Sequence, residues 1–180
     1  MVQSSEIFWF PLRVTYSREM KFKEYLDSVG IENFVPMHYE DREINGQKHR
    51  KLVPVIHNLI FVHAAKSDID IIKSDTLSAF PIRYIMKYKS SEPLVIPDRQ
   101  MQDFIAVAGT YDEQLMYLTP TEVSVKKGDR VRIKGGIWEG VEGRFVRIKR
   151  GLRVVVAIEG VMAVATASLH PSLVEVIERM

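Results

Sequence analysis

Residues 126 to 149 read KKGDRVRIKGGIWEGVEGRFVRIK and hold five of the chain's ten glycines. Helices and strand interiors both disfavour glycine, so the stretch reads as two strands with turns between them. In VRI (131–133) and RFVRI (144–148) apolar and basic residues alternate, and a period of two turns Val131, Ile133, Val146 and Ile148 to a core and the arginines to water. Gly135, Gly136, Gly140 and Gly143 suit tight turns, bulges or a close approach of backbone to a partner. Residues 152–159, a turn at Gly160, residues 161–169 and residues 173–178 add three more short strands. Five short strands in this space predict a small barrel.

Composition narrows the class. The chain has 180 residues, 46% apolar and 27% charged, long enough for one medium domain or two small ones. No apolar run approaches the ~18 residues that span a bilayer, and the start MVQSSEIFWF lacks a basic flank and cleavage site. A cytoplasmic protein with no membrane partner is expected. The absence of cysteine excludes disulfides and thiolate chemistry. Charge is uneven: residues 1–123 carry 14 Lys/Arg against 17 Asp/Glu, and residues 124–180 carry 11 against 6. An acidic front and a basic back predict two domains with different partners, the basic one suited to phosphates or an acidic protein surface.

The front half alternates strands and helices. IFWFPLRV (7–14) reads as a strand, with Pro11 marking an edge or bulge. SREMKFKEYLDSVG follows, where Ser17 can cap a helix that turns Phe22, Tyr25, Leu26 and Val29 to one side before Gly30. Residues 33–44, Asn45-Gly46 and the returning QKHRKLVPVIHNLIFVHA predict a hairpin with a charged tip. A helix over 67–76 is capped by Ser67, with Ile69, Ile72 and Leu77 inward. Residues 82–90 and 92–97 read as a strand pair. A helix from Asp98 to Gly109 presents Met101, Phe104, Ile105 and Ala108 to a core. The expected fold class is α+β, an α/β sandwich with an antiparallel sheet over 1–109, a linker over 110–123 and a small all-β domain over 124–180.

The glycine-paced stretch, with Gly128, Val131, Ile133, Gly136, Gly140 and Gly143 so spaced, resembles the KOW motif, an SH3-like barrel, of NusG-type transcription factors and some ribosomal proteins. In the front half, Trp9, GIENFVPM (30–37), NLIFVHA (58–64) and PLVIPDRQMQDF (93–104) resemble segments of the NusG N-terminal domain in place and order. Together the two resemblances cover nearly the whole chain. Asn58-Leu59, where housekeeping NusG usually carries a glycine-tyrosine or similar pair, and the hairpin EDREINGQKHRK resemble the specialised RfaH-like paralogs, including antiterminators of capsular polysaccharide operons in Bacteroides-type bacteria.

That resemblance implies a monomeric transcription elongation and antitermination factor. Its N-terminal domain would bind the clamp helices of RNA polymerase through an exposed apolar patch, for which Trp9, Phe34, Pro36, Leu59 and Phe61 are the positional candidates; simple core packing is the competing reading of each. It further implies contact with the non-template DNA strand or nascent RNA near Arg13, Tyr16, Ser17, Arg18 and Lys87, where cations hold phosphates and a tyrosine stacks on a base. Lys48, His49, Arg50 and Lys51 form a second basic cluster at the hairpin, which Glu40, Asp41 and Glu43 could instead neutralise. For the KOW domain a protein partner such as the ribosome or a termination factor is implied. Ile137, Trp138 and Phe145 are its candidate anchors, and Arg144 and Arg147, among Lys126, Lys127, Arg130, Arg132, Lys134, Lys149 and Arg150, its steering charges.

Nothing in the sequence favours catalysis. His38, His49, His57, His63 and His170 form no motif, and no phosphate loop, nucleophile elbow or His-Glu-x-x-His is present. No cofactor or metal is expected. A different class of reading is an RNA-binding or ribosome-associated KOW module, and a housekeeping NusG is the alternative within the family. Some RfaH-like proteins refold the KOW domain as a helical hairpin; here Gly128, Gly135, Gly136, Gly140, Gly143, Gly151 and Gly160 would each weaken a helix by ~1 kcal/mol relative to alanine. A fragment from residue 122 onward is therefore expected to give a strand spectrum in far-ultraviolet circular dichroism, and a helical signal would contradict this.

Overall fold

The structure is a computed structural model that describes residues 6–77, 80–124 and 127–180. In chain order the first elements are β1 (Ile7–Val14), α1 (Glu19–Ser28), β2 (Glu32–Phe34), β3 (Met37–Ile44), β4 (Gln47–Pro54), β5 (Leu59–Ala65), α2 (Lys66–Ser74) and β6 (Ile82–Tyr84). They are followed by α3 (Asp98–Ala108), β7 (Met116–Leu118), α4 (Pro120–Ser124), β8 (Arg130–Ile133), β9 (Glu142–Ile148), β10 (Gly151–Ile158), β11 (Met162–Ala165) and β12 (Val174–Glu178). The chain divides into two compact units, Met1–Pro36 with Ile56–Asp98, and Met37–Val55 with Arg99–Met180.

The first unit is built on an antiparallel sheet of order β2-β5-β1-β6. β1 runs Ile7↔Ala65 to Arg13↔Leu59 along β5, and Leu12↔Tyr84 to Val14↔Ile82 along β6. Pro11 therefore lies in an interior strand and not at an edge. The ladder to β6 covers only residues 12–14, and the Pro11 carbonyl accepts from the Ile85 N–H at 3.2 Å. A proline is tolerated there because no β6 carbonyl is left waiting for its missing N–H. Trp9, Phe10, Leu12 and Val14 are buried, as are Leu59 to Val62 of β5.

Helix α1 buries Phe22 and Leu26, one turn apart on one face, and each side chain contributes ~1.5–3 kcal/mol by leaving water. It ends where Gly30, at φ 73°, lets its N–H reach the Asp27 carbonyl and the Ile31 N–H reach the Leu26 carbonyl. Ser17 does not cap this helix: Arg18 is the N-cap, no side chain caps it, and Ser17 sits in the left-handed region at φ 51°. In α2 the inward stripe is Ile69 and Ile72, as the spacing predicts, but the helix starts without a Ser67 cap and Leu77 is 92% exposed.

In the second unit β3 and β4 pair from Met37↔Pro54 to Ile44↔Gln47, closed by Asn45 and Gly46 at φ 53° and 77°, a type I′ turn. α3 buries Met101, Phe104, Val107 and Ala108. The remaining strands form an antiparallel sheet of order β12-β8-β9-β10-β11-β7. Strands are found at each of the five positions that the alternation predicts, with Val131, Ile133, Val146 and Ile148 buried. The stretch 110–123, expected as a linker, instead contributes β7, which pairs with β11 and places Leu118 beside Val146, Ile148, Val155, Ala163 and Ala165. Its three residues are too few for a period of two to be visible. Among the described residues no helix is long and apolar enough to cross a membrane.

Gly143 is required by a close approach of two strands, since a Cβ there would lie 2.5 Å from the Val155 carbonyl oxygen and 2.7 Å from Val154 Cγ1. Gly143→Ala is expected to destabilise the protein by ~1–3 kcal/mol, read as a drop in Tm of about 2–4 °C per kcal/mol. Gly135→Ala, with open space around its Cβ, is expected to leave Tm within experimental error.

Candidate nucleic-acid interface

The turn from β1 into α1 is built on left-handed backbone. Tyr16 and Ser17 are consecutive non-glycine residues at φ 65° and 51°, and Asn58, just before β5, has φ 65°. Left-handed backbone is unusual for a residue as bulky as tyrosine and persists only where the surroundings hold it. Here they do. The Ser17 N–H donates to Asn58 Oδ1 at 2.7 Å, the Val14 N–H to the Asn58 carbonyl at 3.0 Å, and the Thr15 N–H to the Pro81 carbonyl at 3.2 Å. Tyr16 is left 80% exposed, with the Arg18 guanidinium carbon 5.9 Å from its ring centre. A rigidly presented, solvent-facing aromatic beside a cation suits stacking on an unpaired base.

Beneath this turn Glu19 is buried, one carboxylate oxygen 3.1 Å from His57 Nδ1. Arg13 is exposed at the end of β1 and carries no ion pair among the described residues. Lys87, in contrast, is bonded to Glu92 at 2.8 Å, which holds that carboxyl below its ordinary pKa. Of the five positions expected near the first strand and first helix, Arg13, Tyr16, Ser17 and Arg18 fall within one short segment. Lys87 lies in a separate loop and is already partnered.

The hairpin cluster Lys48, His49, Arg50 and Lys51 is exposed, but its register sets Glu43, Arg42, Asp41 and Glu40 respectively across from it. Three of the four basic positions thus face an acid. Arg50 is further committed, lying 4.3 Å over the Tyr39 ring and bonded to Glu113.

The exposed apolar patch expected from Trp9, Phe34, Pro36, Leu59 and Phe61 is corrected by their burial. Trp9, Pro36, Leu59 and Phe61 are interior and Phe34 is half-buried. Residues directly opposed across the strands explain this: Phe34 and Pro11 flank Phe61, and Trp9 stacks at 4.8 Å on His63, its partner on β5, which in turn bonds Glu32. Trp138 is corrected likewise. The loop from Gly136 to Gly140 folds the indole inward to 5% exposure and leaves Ile137 70% exposed. Phe145 is half-buried, and Arg144 and Arg147 are exposed. Arg130 and Arg132 both bind Glu142, at 2.9 and 2.6 Å, and hold its pKa low, so they are not free steering charges. Lys126 lies outside the described residues.

The family model described as NusG, transcription termination factor nusG, matches residues 8–105. The chain belongs to the NusG family. Among solved structures it is similar to one of domain interaction in Thermotoga maritima NusG, with 21% identity, 96% of this chain and 98% of that chain covered, and a TM-score of 0.44. Comparison with curated proteins gives no match. As a NusG-family member the protein is a transcription elongation factor that binds RNA polymerase, and it is not an enzyme.

In this NusG-family chain the sequence marks Asn58 only as a departure from the housekeeping pattern and does not show that its backbone and side chain both strap the turn. Asparagine's tolerance of left-handed backbone was the available signal. Replacing Tyr16 by glycine should relieve its φ strain, so Tyr16→Gly is expected to be more stable than Tyr16→Ala by about 1 kcal/mol in urea unfolding. The reverse order would mean that the left-handed turn is not populated in solution.

Proposed function

We propose that the protein is a specialised NusG paralog, acting in the cytoplasm on selected operons such as those for polysaccharide biosynthesis. Its N-terminal domain, residues 1–109, binds the clamp helices of RNA polymerase, and its KOW domain, residues 124–180, recruits a partner such as the ribosome or a termination factor. While bound it suppresses pausing and termination and touches the exposed non-template strand through the Tyr16 turn.

The observation that carries this reading is that turn. A tyrosine held out to solvent at a cost in backbone strain, with Arg18 beside its ring and Arg13 three residues before it in the chain, has no role in the core and the chemistry of a single-strand contact. Family membership supplies the polymerase. Phe34 is the candidate clamp-helix contact that retains accessible surface, and Ile137 is the exposed apolar anchor of the KOW loop.

Single-round transcription with the host's polymerase, on templates with pause sites and a terminator, tests it. Shorter pauses and more read-through are expected on templates carrying the operon leader and not on unrelated ones, and Tyr16→Ala, folded as the parent, should lose the leader-dependent part. Equal action on every template would indicate a housekeeping role. Inactivity on all templates, with tight binding to RNA or ribosomes, would reject the polymerase reading for the KOW-module one.

A further inference from the structure

Arg13 and Arg83 are directly opposed across the antiparallel β1–β6 ladder. Cross-strand partners hold their Cβ atoms about 4.5–5.5 Å apart on one face of the sheet, and like charges so placed repel. Both arginines are exposed, and among the described residues neither has an ion pair or side-chain hydrogen bond. Nothing in the register relieves the repulsion. On the other side of Arg13 stands Leu59, buried and apolar, and β6 is the edge of the sheet, so no further strand flanks Arg83. Glu19, the acid nearest in sequence to Arg13, is turned onto His57. In the β3–β4 hairpin Glu40 faces Lys51, Asp41 faces Arg50 and Glu43 faces Lys48, and where two arginines are opposed again, Arg130 and Arg144 of β8 and β9, Glu142 bonds Arg130 at 2.9 Å.

We infer that Arg13 and Arg83 form a two-arginine clamp for the phosphodiester backbone of a single-stranded nucleic acid. The inference rests on the reading of the Tyr16 turn as a single-strand contact and adds Arg83 to it. Two guanidinium forks side by side present donors in the geometry that phosphate oxygens accept bidentately. An anion between them converts the like-charge repulsion into shared attraction, so the clamp is favoured when occupied. Arg13 is three residues before Tyr16 on the same strand and turn, and Thr15 is tied to Pro81, two residues before Arg83. One strand of nucleic acid can therefore lay a phosphate on the arginine pair and an unstacked base on the tyrosine. The arginines fix position without reading sequence, and base preference is left to the turn.

The test is fluorescence anisotropy of short labelled single-stranded DNA and RNA over a range of salt, with the full-length protein. Each phosphate contact contributes about 0.7 to the slope of log K against log salt for single strands. Arg13→Ala and Arg83→Ala are each expected to lower the slope by about 0.7, whereas Tyr16→Ala weakens binding with the slope unchanged. Arg83→Glu places an acid opposite Arg13 and should raise the Tm of the free protein by about 1–3 °C, while abolishing the Tm rise that the oligonucleotide gives the parent. That combination separates lost binding from lost folding.

A slope that does not change in the Arg83 variants, or absence of single-strand binding by the parent, overturns the clamp. So does an Arg83-dependent slope seen only with poly-glutamate, which would make the pair a protein contact. Arg83 dependence with either DNA or RNA supports it. The transcription assay fails independently: no effect of the parent on pausing removes the polymerase reading and leaves an Arg83-dependent slope standing.

Discussion

Strand β1 is the element on which the first unit depends. It is paired on both sides and contributes Trp9, Phe10, Leu12 and Val14 to the interior, so its position is fixed by ladders to β5 and β6 and by apolar burial at once. Everything exposed at its end inherits that rigidity. Arg13 is held in register by two neighbouring strands, and the turn beyond it is strapped to Asn58 and Pro81 within three residues of the strand's last position. A strained tyrosine can be maintained at this point because the backbone before and after it has no freedom to relax.

The distribution of charge acquires meaning only through partners. The hairpin carries the densest basic cluster of the front half, yet an antiparallel register places acids against most of it, and Arg50 is held by Tyr39 and Glu113. In the six-stranded sheet Glu142 draws in Arg130 and Arg132, which removes two cations from the face that they would otherwise charge. Exposed cations without counter-ions are of more use to a polyanion, because no internal pair has to be broken first. Among the described residues Arg13 and Arg83 are of that kind in the first unit, and Arg147 is in the second.

Much of the fold was legible. The alternation in 131–133 and 144–148 and the turns at Asn45-Gly46 and Gly160 specified strands and hairpins, because period-two burial and left-handed turn residues are local properties. The helices α1, α2 and α3 were visible in the spacing of Phe22 with Leu26, Ile69 with Ile72 and Met101 with Phe104. The site was less so. Tyr16 and Arg13 stand out through family resemblance, but Ser17 has the local pattern of a cap, since its left-handed backbone depends on Asn58, 41 residues away. Trp9, Leu59, Phe61 and Trp138 match contact positions by resemblance alone, and a large apolar side chain on a strand or in a loop carries no local mark of whether another layer will cover it.

By itself the sequence determined which segments form strands and helices, where the chain turns, and that a basic glycine-paced sheet follows a mixed α/β region. Short-range sterics and hydrophobic periodicity suffice for those. Tertiary structure alone decided that Pro11 lies in an interior strand, that β7 joins the six-stranded sheet, that the tryptophans are covered, and that Arg13 meets Arg83. Each of these is a pairing between residues distant in sequence, and such pairings are set by strand register and layer packing, which no local pattern encodes.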